Sequence, residues 1–215
     1  MPSTTTHMSM NKTIHAAVRR DLDRFRRALD VFADGDRDRA AALHRAWVNF
    51  DAQLTEHHEG EHEIAWPALK AIGIAAPTIA TFDAEHEKMA ADLAATREAM
   101  ATLRRTASRA DAEVAATAMA RLQTTTVTHL DHEEQETESA LTQNEGDPAL
   151  KEMGKKFSRR TGLTRAGTFF AWMQDGATPE EMAALRESVP APVMAILGGL
   201  LGRRYRKEVA PVWAS

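Results

Sequence analysis

His57-His58-Glu59-Gly60-Glu61-His62-Glu63-Ile64-Ala65-Trp66-Pro67-Ala68-Leu69 decides how the rest of this chain is read. It sets three histidines and three glutamates into an apolar rhythm. Leu54, His57, Glu61, Ile64 and Ala68 follow at spacings of three and four, the period at which side chains share one helix face. His57 and Glu61 thus take positions where the rhythm puts core side chains. A helix is predicted over residues 37–72, with Leu43, Trp47 and Phe50 on the same seam and a kink at Pro67. Proline has no N–H to donate, and its ring crowds the preceding turn. Gly73 and Pro77 end the segment.

Three further segments repeat the pattern. Residues 7–33 carry Val18, Leu22, Phe25, Leu29 and Phe32 in line and stop at Asp34-Gly35-Asp36. Residues 78–105 carry Ile79, Phe82, Met89, Leu93, Met100 and Leu103. Residues 111–143 carry Ala115, Met119, Leu122 and Ala140 and close at Asn144-Glu145-Gly146-Asp147-Pro148. Short connections make consecutive helices antiparallel neighbours, so the expected fold is all-α: an up-down four-helix bundle over residues 11–145. Residues 1–10 read as a flexible N-terminal tail, and residues 146–215 as an extension of two or three short helices packed on the bundle. Within that extension Thr178-Pro179-Glu180-Glu181 is a strong helix start, and Val189-Pro190-Ala191-Pro192 is a break.

Composition narrows the chemistry. The 215 residues contain no cysteine, which excludes disulfides, thiolate metal sites, iron–sulfur clusters and cysteine nucleophiles. Residues 1–150 hold 16 Lys/Arg against 25 Asp/Glu, and residues 151–215 hold 11 against 6. An acidic body with a basic tail is not the charge pattern of a nucleic-acid binder. The N-terminal residues lack an apolar signal-peptide core, and Val193 to Leu201 is too short to span a bilayer, so the expected location is the cytoplasm, away from membranes.

A histidine lies on every seam. His15 is three before Val18, His86 falls between Phe82 and Met89, and His129 is seven after Leu122 with Glu133 four beyond it. His57/Glu61 and His129/Glu133 each put an imidazole and a carboxylate one turn apart on one face. A lone core histidine is ordinary. Six ionisable groups aimed at one core are not, because each unpaired buried charge costs several kcal/mol and bound cations satisfy all of them together. Imidazole and carboxylate without sulfur suit iron, manganese or zinc, and six donors exceed what one tetrahedral zinc needs. Two iron ions fit best.

The order His15, His57-x-x-x-Glu61, His86, His129-x-x-x-Glu133 resembles the hemerythrin-like HHE cation-binding family. The string from His57 to Leu69 is similar to that of its bacterial, especially actinobacterial, members. The resemblance covers roughly residues 10–145. It implies a non-haem di-iron centre, with oxo, hydroxo or carboxylate bridges, that meets O2, peroxide or nitric oxide. In that scheme Glu61 and Glu133 bridge the irons, and His15, His57, His86 and His129 are terminal ligands. Two departures stand out. Oxygen-carrying members have a second histidine one turn after the third-helix histidine, where this chain has Ala90. Their last carboxylate is an Asp five residues after the fourth-helix histidine, whereas Glu133 is four after His129. One imidazole fewer implies an open position, which favours inner-sphere chemistry with small oxidants over simple oxygen carriage.

Other residues near the motif read differently. A second register, His58-x-x-x-His62, and the pair Glu59-x-x-His62 are alternative ligand spacings, but His58 and His62 fall off the seam, so these three are expected in outer or surface positions, with His58 or Glu59 as the candidates to fill the place left by Ala90. Asp131, His132, His44 and His7 read as surface groups, and Trp47 and Trp66 as packing. The single tyrosine, Tyr205, is expected away from the site, and Arg203-Arg204-Arg206-Lys207 as a solvated helix end. Three functions follow: a di-iron protein that binds or turns over small oxidants, catalase- or peroxidase-like in oxidative-stress defence; an iron or oxygen sensor or storage module without turnover; and a di-iron oxygenase acting on an organic substrate. The chain is expected as a monomer or homodimer.

Overall fold

The computed structural model describes residues 8–214, and every regular element among them is helical. The tail expected at residues 1–10 and the surface reading of His7 lie largely outside the described residues; Met10 already belongs to the first helix. Helix α1 (Met10–Asp30) is started by Ser9, whose hydroxyl accepts from the Lys12 N–H. Helix α2 spans Arg37–Gly60, capped by Asp36; α3 spans Trp66–Ala71; α4 spans Ala76–Thr106; and α5 spans Arg109–Gln143, capped by Ser108. Val18, Leu22, Phe25, Leu43, Phe50, Leu54, Met100 and Leu122 are all buried in one apolar core, as their rhythm requires.

Long-range bonds fix how these helices lie. The Ser9 N–H and hydroxyl donate to Glu138 near the end of α5, while the Arg109 guanidinium at its start donates to the carbonyls of Asp30 and Phe32. Arg97 grips Asp51 through two bonds of 2.7 Å, and the Trp66 indole donates to Asp83 at 2.8 Å. Asp92 accepts from Arg121 and Thr125. Early residues of one helix thus meet late residues of its neighbour.

The expected kink at Pro67 takes another form. The helix widens just before the proline, into a π turn over Glu61–Ala65 in which the Trp66 N–H reaches back to the Glu61 carbonyl. Pro67 cannot donate to the carbonyl four residues earlier, so the turn ahead of it is released from the α pattern and accommodates one extra residue.

The extension also differs from expectation. Its first part is a long helix, α6 (Pro148–Gln174), broken into two rods at Gly162, whose φ of 62° is left-handed. Helix α7 (Pro179–Ser188) starts with the Thr178–Glu181 capping box. Helix α8 (Ala191–Met194), a π segment (Ala195–Leu201), α9 (Arg203–Glu208) and a 3-10 turn (Ala210–Trp213) complete the chain. These elements join the main core. Trp172 and Tyr205 are fully buried, and Trp213 meets Phe25 edge-on at 4.9 Å. The Trp172 indole donates to Asp21 on α1 at 2.7 Å, and the Tyr205 hydroxyl donates to Asp175, which also accepts from Arg24. Burial raises the Asp21 carboxyl, against the pull of Trp172, Arg20 and Arg24. Among the described residues no single helix is long and apolar enough to cross a membrane.

Candidate metal centre

A polar stretch interrupts the apolar rhythm between two cores. The larger core includes Leu54, Leu93 and Leu130; the smaller one gathers Ala65, Trp66, Leu69, Ile79, Phe82 and Leu141. Between them the structure brings together all six residues singled out from the sequence, in two groups whose donor atoms lie within 4.8 Å of one another. One group is His15, His57, Glu61 and Glu133; the other is His58, Glu61, His86 and His129. Glu61 belongs to both, with one oxygen 3.0 Å from His57 Nε2 and the other 3.4 Å from His86 Nε2. Glu133 belongs to one group: its Oε2 is 3.3 Å from His15 Nε2, and its Oε1 accepts from the Asn11 amide at 3.0 Å.

His58 corrects the sequence reading, which expected it off the seam. Its Nε2 is buried, and its ring stacks on His86 at 4.3 Å. A helical apolar stripe is broad, and position 58 is four beyond Leu54 and three before Glu61, so it shares their face as position 57 does. That spacing was the available signal. Ala90 is exposed, so the place one turn after His86 turns away from the site, and His58 supplies an imidazole from α2 instead. Glu59 and His62 are exposed; Glu59 pairs with Arg160, and His62 with Asp83. Asp131 is exposed and pairs with Arg19; His44 is half-buried on α2. His132, expected in solvent, is partly covered and bonds Glu85 at 2.9 Å. Trp66 stacks on His86 at 5.6 Å and so walls the site as well as packing, whereas Tyr205 bonds Asp175 and takes no part in either group.

Outer carboxylates orient two of the rings. The His15 ring meets Glu134 through Nδ1 at 3.0 Å, and Glu134 is itself held by Arg19; His129 meets Glu85 through Nδ1 at 2.8 Å. In both rings Nε2 is left to face the cluster, where the His86 and His129 Nε2 atoms lie 3.0 Å apart. Nε2 of His15, His57 and His58, both Glu61 oxygens and Glu133 Oε2 are buried without an aligned hydrogen bond among the described residues. Orphaned buried donors and acceptors are rare in proteins, and several converging on one space are what a cation satisfies.

The electrostatics agree. Burial and neighbouring imidazoles push His57 and His58 well below the usual histidine range, and burial with His129 takes His86 to about 3. Burial also lowers His129, partly offset by Glu85. These rings stay neutral, the form that binds metal. Burial lowers His15 too, but the Glu133 charge and the Glu134 bond outweigh it and raise the group. Burial drives Glu133 up, yet the His15 charge, with His57 and His129, holds it at about 2. Burial and the adjacent Glu133 push Glu61 well above the carboxylate range. A cation between the two carboxylates would reverse that last shift.

A cavity of about 1520 Å³ opens beside the cluster, between α2 and the extension, and reaches His57, Glu61 and Glu133. Phe157, one of its wall residues, packs directly on Gly60 of α2: a Cβ there would stand 2.5 Å from the ring.

The sequence profile of one family, the hemerythrin HHE cation binding domain, matches residues 9–141. Comparison with curated proteins and with solved structures gave no match.

Proposed function

The chain belongs to the hemerythrin HHE cation-binding domain family, and from that premise we propose that it holds two iron ions and reacts with small oxidants. Helices α1, α2, α4 and α5 form the antiparallel up-down bundle that carries the site, a reading supported by the early-to-late bonds between neighbours. The carrying observation is Glu61, the one side chain common to both donor groups. It would bridge the two ions; His15, His57 and Glu133 would hold one, and His58, His86 and His129 the other. When bound, iron supplies electron transfer to O2, hydrogen peroxide or nitric oxide. The chain's own residues keep the His57, His58, His86 and His129 rings neutral, orient His129 and His15 through Glu85 and Glu134, and cover one side of the site with Trp66 and Phe82. Peroxide disproportionation in the cytoplasm is part of this reading. Metal analysis of purified protein tests the reading. About two irons per chain, with peroxide consumption that follows iron content, is the expected result; a protein that takes up no iron overturns it.

One observation favours a second reading, an oxygenase acting on an organic molecule. The cavity reaching His57 and Glu61 exceeds the roughly 300–1,000 Å³ of ordinary small-molecule pockets, far beyond the needs of a diatomic gas.

A further inference from the structure

The cavity has a shape and a charge. Its lining runs along α2 from Arg45 through Asn49 and His57 to Glu61. At the helical rise this is about 24 Å. The facing wall is mostly apolar, with Phe157, Phe169, Phe170 and Leu197 from the extension. Six basic side chains line it: Arg45, Lys151, Lys155, Arg159, Arg165 and Arg204. Away from the metal cluster the only acidic lining groups are Glu56 and Glu208. Lys155 and Arg159 pair with Glu152, Arg165 with Glu56, and Arg204 with Glu208. Arg45 and Lys151 make no ion pair among the described residues. Of these two, Arg45 lies one turn from an orphaned donor, the Asn49 amide nitrogen, which is buried without a partner.

We propose that this cavity binds a long-chain monocarboxylate, its carboxylate held by Arg45 and Asn49 and its hydrocarbon lying along α2 toward the His57–Glu61 pair. A carboxylate supplies the acceptor that Asn49 lacks and the anion that Arg45 lacks. The apolar wall takes the chain, and the length is sufficient: one leaflet of acyl chains spans about 15 Å of a bilayer. For its role the proposal rests on the oxygenase reading, which it supplies with a substrate class. For binding it rests on the cavity alone.

Calorimetric titration of the full-length protein, iron-loaded and metal-free, with hexadecanoate and with hexadecanol tests it. Hexadecanoate should bind at one per chain, at least tenfold tighter than the alcohol, in both metal states. Arg45→Glu should weaken hexadecanoate about tenfold or more, the equivalent of about 1.4 kcal/mol, and leave hexadecanol unchanged. Ala52→Trp, which fills the cavity from an exposed position on α2, should weaken both ligands without changing iron content. Failure of both ligands to bind overturns the proposal, as does equal affinity for the two or an unchanged affinity in Arg45→Glu. Since the metal-free protein is titrated too, loss of the iron reading would leave fatty-acid binding standing, and the reverse.

Discussion

The four helices that carry the cluster and the extension that closes over them are buried for opposite reasons. In α1, α2, α4 and α5 a three-four rhythm repeats for many turns, and each histidine or glutamate of the site replaces an apolar residue in that rhythm. In the extension a few large side chains, Trp172, Tyr205 and Trp213, plug into the core individually: Trp172 bonds Asp21 of α1, Tyr205 bonds Asp175 just after α6, and Trp213 packs on Phe25. Periodic burial announces itself in a sequence. Burial by single anchors does not, because no local pattern says which tryptophan meets which partner.

The sharpest way to break the contrast is at the residue shared by both donor groups. Glu61→Ala should strip iron from both groups, leaving far less than one ion per chain by metal analysis; retention of one full site would dissolve the bridging role. Next in size is acid. Below the ordinary imidazole value of 6.5, the unfolded chain takes up protons that His57, His58 and His86 refuse when folded, His86 down to about 3. Stability of the metal-free protein should therefore fall as pH drops from 6.5 toward 3. Glu61 and Asp21, whose protons are favoured in the fold, oppose this above their usual 4.5 and 3.8, but two carboxyls face four rings, His129 included. Urea midpoints across that range check the sign.

Trp172→Ala examines the other region. Removal of that side chain should cost about 3–5 kcal/mol in urea unfolding, with Asp21 left without its indole donor and iron content unchanged. Gly60→Ala tests the seam between the regions: its methyl meets Phe157 and should cost about 1–3 kcal/mol, relieved in the Phe157→Ala background. Smallest is Asp51→Ala, which breaks the exposed pair with Arg97 and should shift stability by about 0.2–1 kcal/mol.

Much of the first region was legible. The all-helical class, the order of the four long helices and the convergence of His15, His57, Glu61, His86, His129 and Glu133 follow from spacing, because that spacing fixes which side chains share a face. His58 escaped because a single-file seam is narrower than a real helical stripe. The π turn escaped because hydrophobic period reports the face of a helix and not its local winding; Pro67 announced a disturbance but not its kind. Gly60 carried a signal that only the neighbour explains, since a glycine within a helix stands for something packed close, here Phe157. The cavity was out of reach, being made between elements whose pairing no local pattern encodes.

The widened turn at Glu61–Ala65 sets the phase between donors and wall. Upstream of it are His57 and His58; downstream is Trp66, lying against His86. Regular winding of the same residues, with no surplus one absorbed in the turn, would swing everything beyond by roughly 100° about the axis. The imidazoles would keep their aim while the indole left its place. A single surplus residue thus acts as a gear tooth, meshing the coordinating half of this rod with the half that roofs it.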